Sequence, residues 1–154
     1  MIRILGIREN PALLEVGAKF FHGAFGNKDN YMLYLDCITH SITTESTLPR
    51  WFLAMKDDEI VGGCSLITND FISRMDLWPW LAALYVVESE RGHGLGGKLL
   101  AYGVSEAGKL GFPKVYLTTD HDSYYERYGW KHIGTGYMPW NDSGRIYEIE
   151  TRAK

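Results

Sequence analysis

Apolar and polar positions alternate in short strand-like runs, broken repeatedly by stretches of helical spacing. Ile2 to Ile7 reads as a first strand. Asn10 followed by Pro11 marks a capped helix start, with apolar residues at 13, 14, 16, 20 and 21 on roughly one face. Tyr31 to Ser41 reads as a second helix. Trp51 to Met55 and Ile60 to Ile67 flank the polar Lys56-Asp57-Asp58-Glu59 and form the clearest hairpin. Thr68 to Pro79 is a long, aromatic-rich loop. Then follow an apolar strand from Leu81 to Val87, a glycine turn, a helix from Gly97 to Leu110 and a strand from Lys114. A short helix from Ser123 to Tyr128 ends at Gly129, and two strands around Lys131 to Met138 and Arg145 to Glu150 are joined by the turn Pro139 to Gly144. With no internal repeat and no low-complexity segment, this order predicts one mixed α/β domain over residues 1–154.

The stretch Arg91-Gly92-His93-Gly94-Leu95-Gly96 sits between a strand and a helix. Alternate glycines leave no Cβ in the way, so successive backbone N–H groups can point at one bound group, and the helix start adds unpaired donors and positive dipole. Such a turn suits a phosphate. Gly92, Gly94 and Gly97 also satisfy a G-x-G-x-x-G dinucleotide fingerprint, with Asp120 where a ribose-binding acid would lie. That fingerprint normally follows its strand directly, whereas Glu88-Ser89-Glu90-Arg91 intervenes here. Gly92 to Lys98 matches most of a P-loop, but Leu99 stands where a Mg²⁺-binding hydroxyl is needed.

Arg91, Gly94 and Gly96 also fill the Arg/Gln-x-x-Gly-x-Gly/Ala turn, and Tyr124-Tyr125-Glu126-Arg127-Tyr128-Gly129-Trp130 supplies an aromatic-Tyr-Glu-basic-x-Gly-aromatic block downstream. In these two blocks, and in the Trp80 to Val87 and Lys114 to Thr119 strands, the chain resembles the GNAT N-acetyltransferases. The resemblance covers the C-terminal half well; before about Asp57 it is one of general layout. It implies a GNAT-like α/β (α+β) fold: a twisted, mixed, mostly antiparallel sheet of six to seven strands with helices on both faces, and a V-shaped opening between the Leu81 and Lys114 strands. The implied co-substrate is acetyl-CoA, its pyrophosphate on Arg91, Gly92, His93, Gly94, Leu95 and Gly96. Its pantetheine arm would lie along Leu84, Tyr85, Val86 and Val87, and Thr118 stands where relatives often place a CoA-touching Asn. Arg91 and Lys98 supply screening charge.

The resemblance places Tyr125 as the general acid that protonates the leaving CoA sulfur, a role suited to a phenol that stays protonated at neutral pH. Tyr124 takes an apolar position. The family's usual Glu base is absent, since Ala82 occupies its place, and Glu88 stands where a proline is often found. Asp70 is the substitute base, with Asp76, Glu88, Asp120 or a water relay behind it; the alternative for Asp70 is a turn carboxylate. Trp78, Trp80 and Phe71 can wall an acceptor pocket in which Asp70 and Asp76 attract an ammonium group. A core role for these aromatics is the competing reading. The expected activity is therefore N-acetylation of a small-molecule or peptide amine, with a small cationic or aminoglycoside-like amine favoured. A non-catalytic acyl-CoA sensor and a dinucleotide-binding module are the alternatives.

Composition narrows this further. The net charge of −3 gives no electrostatic reason to expect nucleic acid or an anionic membrane as partner. No apolar run approaches the ~20 residues of a membrane span, and the N-terminus lacks a signal-peptide layout, so a cytoplasmic location is expected. Cys37 and Cys64 read as buried thiols, and neither they nor the five histidines show metal spacing; no metal is expected. A homodimer is left open.

Overall fold

A computed structural model of the chain describes residues 1–152. Its strands are β1 (Ile2–Gly6), β2 (Arg50–Lys56), β3 (Glu59–Ile67), β4 (Trp80–Val86), β5 (Lys114–Thr119), β6 (Lys131–Tyr137) and β7 (Ser143–Glu150). They form one seven-stranded sheet in the order β1-β2-β3-β4-β5-β7-β6. The helices are α1 (Leu14–Phe25), α2 (Tyr31–Thr43) and α3 (Leu95–Lys109), with single 3-10 turns at Pro11–Leu13, Glu88–Glu90 and Tyr125–Tyr128. β1 pairs with β2, and β7 with both β5 and β6, antiparallel, whereas β4 runs parallel to β5. A doubly wound dinucleotide fold needs parallel strands linked by crossover helices. This mostly antiparallel sheet therefore sets aside the dinucleotide-binding alternative.

Two compact units divide the described chain: Met1–Ser65 with Ala83–Leu100, and Leu66–Ala82 with the residues from Ala101 onward. β3, β4 and α3 contribute to both.

In the first unit, β2 and β3 are buried on both faces, which is why both runs are almost continuously apolar rather than alternating. Asp57 takes a left-handed conformation (φ 55°) in the tight turn that joins them. Phe21 of α1 packs edge-on against Trp51 at 4.8 Å. Its ring lies so close to β3 that a Cβ on Gly63 would meet Phe21 Cζ at 2.7 Å. The helix start differs from the capped one expected at Asn10. The Asn10 side chain makes no cap; its amide donates to Gly6 O at 2.9 Å, satisfying the end of β1, and α1 proper begins at Leu14 after the Pro11 turn. Cys64 is fully buried, and burial pushes its thiol up to about 12. Cys37 is only half-buried on α2, a correction to its expected burial.

In the second unit, Ile72, Trp80 and Ile146 form a core with Ile67, Leu77, Tyr116 and Met138 packed around it. β5 pairs with β7 so that Thr118 faces Ile146 and Thr119 faces Arg145. Alternation along β5 buries Val115 and Leu117 and leaves Tyr116 and Thr118 partly open. No helix among the described residues is long and apolar enough to cross a membrane.

Candidate active site

The glycine turn lies in the first unit, at the end of β4. Within that strand Ala83 adopts φ 53°, a left-handed kink in an otherwise extended segment that re-aims the residues after it. Leu84, Tyr85, Val86 and Val87 follow, all half-buried. The Val87 amide donates to Val61 O at 2.9 Å. Tyr85 packs edge-on against Phe20 and Phe25. The Arg91 guanidinium sits 5.4 Å over the Tyr85 ring, and its Nε donates to Val86 O at 2.9 Å, so the arginine is fixed against the strand. Gly92 and Gly94 have φ values of 81° and 82°, and an added Cβ at either would meet nothing within 4 Å. The requirement for glycine is therefore conformational, and the space before the turn is open. Gly92, His93 and Gly94 are exposed, whereas Leu95 is buried and anchors the start of α3.

The Lys98 amide closes the first turn of α3 by donating to Gly94 O at 3.1 Å. The amides of Leu95, Gly96 and Gly97 precede it in the first turn, where a helix offers its amides no carbonyl of its own. Such first-turn donors, the helix dipole and the fixed Arg91 together suit a pyrophosphate.

The second unit holds a cavity of about 340 Å³ lined by Asp70, Phe71, Thr118, Thr119, Asp120, His121, Met138 and Trp140. That volume suits a small molecule. Its polar lining is two carboxylates, two threonine hydroxyls and the His121 imidazole, and the carboxylates favour a cation. Asn69 shapes one wall: its side-chain oxygen accepts from the Ile72 amide at 3.0 Å, and its nitrogen donates to Ile72 O at 2.9 Å. The clasp folds the chain sharply enough that Phe71 sits at φ 55°. Phe71 and Trp140 face each other across 6.1 Å. Withdrawal from water lifts the Asp70 carboxyl to about 6, close to the working pH of a general base. Thr118 Oγ1 is buried and has no hydrogen-bond partner among the described residues, a polar atom waiting for a ligand or a water.

Tyr125 opens the 3-10 turn that follows β5. Gly129 ends this turn in the left-handed conformation (φ 91°), and Trp130 N–H returns to Tyr125 O at 3.2 Å. The Tyr125 ring packs against Tyr147 at 5.8 Å and Trp130 at 6.5 Å. Burial pushes the phenol above its usual value; a hydrogen bond with Thr119 pulls it down, and the neighbouring Tyr147 adds to the rise. The proton is retained at neutral pH. Tyr124, next to it, lies instead under the Arg127 guanidinium at 4.9 Å.

The structure thus gathers Asp70, Phe71, Thr118 and Asp120 around one cavity. Other sequence candidates lie elsewhere. Trp80 is wholly buried, its indole N–H donating to Leu77 O at 2.7 Å, so it fills the core and does not wall a pocket. Trp78 is exposed and is not part of the cavity lining. Asp76 is gripped by Arg74 through two hydrogen bonds of 3.0 and 2.9 Å, which lower its pKa and make it a poor base. Glu88 is exposed in the first unit. Trp140 belongs to no motif in the sequence and was not among the candidates, although a large exposed aromatic in a turn of small polar residues is itself a signal of binding. Among the described residues no cluster of His, Cys, Asp and Glu is placed to hold a metal ion.

Comparison with known proteins bears on the family and the fold. The family model for the acetyltransferase (GNAT) family matches residues 14–130. The acetyltransferase Atu2258 of Agrobacterium fabrum is 41% identical over 61 residues, a match spanning 38% of this chain and 44% of that protein. An aminoglycoside 6'-N-acetyltransferase solved with coenzyme A superposes with a TM-score of 0.72 at 18% identity, covering 100% of this chain and 98% of that one. A GNAT-family acetyltransferase from Bacillus cereus superposes with a TM-score of 0.69 at 17% identity, covering 99% of each chain. At those identities the structures speak for the fold, while the family model spans most of the sequence and both signature blocks. The chain belongs to the GNAT acetyltransferase family.

Proposed function

We propose that this protein transfers the acetyl group of acetyl-CoA to the primary amine of a small cationic acceptor, by direct attack in a ternary complex. The observation that carries this reading is Asp70, a carboxylate poised near neutrality in an anionic, aromatic-walled cavity. Acetyl-CoA supplies the activated acyl group, and the turn from Arg91 to Gly96 holds its pyrophosphate. Asp70 takes a proton from the acceptor ammonium, directly or through one water. The freed nitrogen forms a bond to the thioester carbonyl carbon, the C–S bond breaks, and Tyr125 gives its phenolic proton to the departing sulfur. The new amide nitrogen then loses its second proton to solvent, solvent reprotonates the phenolate, and Asp70 releases the first proton, which restores both residues. Phe71 and Trp140 can hold the acceptor's cationic end by cation–π contact, with Asp120 as a second anionic wall.

Thermal unfolding followed by a turnover assay tests the proposal. Acetyl-CoA or CoA, but not NAD or ATP, is expected to raise Tm, by roughly 2.7 kcal/mol of stabilisation at a hundredfold excess over Kd. Free thiol should then appear with a panel of mono- and polyamines, aminoglycosides included. Stabilisation by NAD alone would overturn the cofactor assignment. Stabilisation by CoA with no turnover on any amine would favour the acyl-CoA sensor.

A second expectation concerns the acid. Tyr125→Phe keeps the ring packed against Tyr147 and Trp130 and removes only the proton donor. We expect kcat to fall about tenfold or more with near-normal CoA affinity, the sign of an interaction made in the transition state. Tyr124→Phe should change kcat much less. Wild-type kcat in both variants, where chemistry limits the rate, would mean the thiolate leaves without Tyr125.

A further inference from the structure

We infer that Asn69 is a positioning residue for the acceptor site: its carboxamide clasps the Ile72 backbone and so holds Asp70 in the cavity and the Phe71 ring towards Trp140. This rests on the proposed role of Asp70 as the base, and the experiment below separates the two. β3 ends at Ile67, and the chain must turn before Ile72 enters the core. Asn69 closes that turn by standing in for backbone: its side-chain oxygen accepts from the Ile72 amide at 3.0 Å, while its nitrogen donates to Ile72 O at 2.9 Å. Among short side chains only asparagine carries a donor and an acceptor on one planar head, so this pair of bonds selects the residue type. The far end of the clasp is anchored. Ile72 is 1% exposed, packed with Trp80 and Ile146, and so close to β6 that a Cβ on Gly136 would meet Ile72 Cγ1 at 2.6 Å.

Between Asn69 and Ile72 lie only Asp70 and Phe71, and both line the cavity. Phe71 sits at φ 55°, a left-handed conformation that a bulky residue seldom takes, and the two bonds closing around it hold it there. Released, this residue would relax to a commoner backbone and carry its ring away from Trp140, which it faces across 6.1 Å. Asp70 immediately precedes it and would turn with it. The segment beyond Ile72 has an anchor of its own. The Ser73 amide donates to Tyr137 O at 2.8 Å, and the Ser73 hydroxyl accepts from the Tyr137 amide at 3.0 Å. Loss of the Asn69 head therefore frees residues 69–71 and leaves the rest of the loop moored to β6. The titratable groups that share the cavity with Asp70 are Asp120 and His121; both lie past the end of β5, outside the clasped segment.

The test is Asn69→Ala, alone and combined with Asp70→Asn, read as kcat against pH, KM for the amine and calorimetric affinity for CoA. Freed from the clasp, Asp70 gains water and loses alignment. The kcat plateau should fall about tenfold. The acidic limb, expected near pH 6 in the wild type, should move about one unit lower, towards the ordinary carboxylate range. KM should rise as Phe71 leaves Trp140, and CoA affinity should be unchanged. In Asp70→Asn the alanine should cost no further kcat, because its effect on rate acts through the base. If the alanine variant does not fold, Asn69→Ser, which keeps an acceptor on a shorter side chain, carries the same comparisons. A limb that stays near pH 6 in Asn69→Ala, or an equal loss of kcat in both backgrounds, would make Asn69 a structural residue only and overturn the inference. A wild-type kcat and pH profile in Asn69→Ala alongside a slow Asp70→Asn would overturn it and leave the Asp70 role standing. Should Asp70→Asn keep the acidic limb, the base and this inference fall together.

Discussion

Asp70→Asn is expected to lower kcat by about a hundredfold and, at neutral pH, to make the protein more stable. Both effects follow from one fact, that burial lifts the Asp70 carboxyl to about 6. A base must be ionised to accept a proton, so wild-type kcat should rise as pH increases through about 6 and level off above it. Asn keeps the shape without the basicity, and this acidic limb should disappear while CoA affinity is unchanged. The stability argument has the opposite sign. A carboxyl that is harder to ionise folded than unfolded favours the folded state below its ordinary value near 4, and that advantage is lost as pH rises towards 6. Above 6 the native protein carries a desolvated charge whose penalty is on the order of 3 kcal/mol at most, because each tenfold weakening of the acid corresponds to about 1.4 kcal/mol. Asn removes the penalty, so Tm at pH 7.5 should increase by several degrees, with little change at pH 4. An Asp70→Asn enzyme that retains the acidic limb would move the base to Asp120 or to a water relay. Asp76 is already committed to Arg74.

Gly94→Glu should abolish the stabilisation by CoA, weakening binding by about two orders of magnitude or more. The substitution acts in two ways. It forces an L side chain to φ 82°, at a cost of about 1–2 kcal/mol, and it places a carboxylate where the diphosphate must sit. Gly94→Ala separates them, since its methyl meets nothing within 4 Å and brings only the backbone cost. The alanine variant should therefore bind CoA at moderately reduced affinity, and added salt should partly relieve the glutamate variant but not the alanine one. Equal affinities for wild type and Gly94→Glu, measured by calorimetry, would place the phosphates away from this turn.

Much of this chain is decided locally, and that part was legible in its residues. The Arg91 to Gly96 turn needs glycines because left-handed backbone angles at Gly92 and Gly94 are intrinsic to it, whatever packs around them. Gly129 ends the turn begun by Tyr125 for the same reason, so the position of Tyr125 at the head of a short turn followed from the sequence block alone. Lys56 to Glu59 marked the hairpin because a polar turn between two apolar runs has few other uses. Composition could not say which side of a boundary a given side chain would occupy. Trp80, Trp78 and Phe71 are equally aromatic and lie within ten residues, yet one is core, one is exposed and one lines the cavity. What separates them is the course of the backbone: the Asn69 clasp turns Phe71 outward, and the entry into β4 turns Trp80 in. Asn10 capped nothing because the end of β1 offered its amide a carbonyl that a helix-start pattern does not reveal. Trp140 and Asp70 are about seventy residues apart in sequence and share a cavity only through the pairing of distant segments. The raised Asp70 carboxyl has the same origin. The residue types and turns are set by short-range sterics, but desolvation and hydrogen-bond direction depend on neighbours that only tertiary packing supplies.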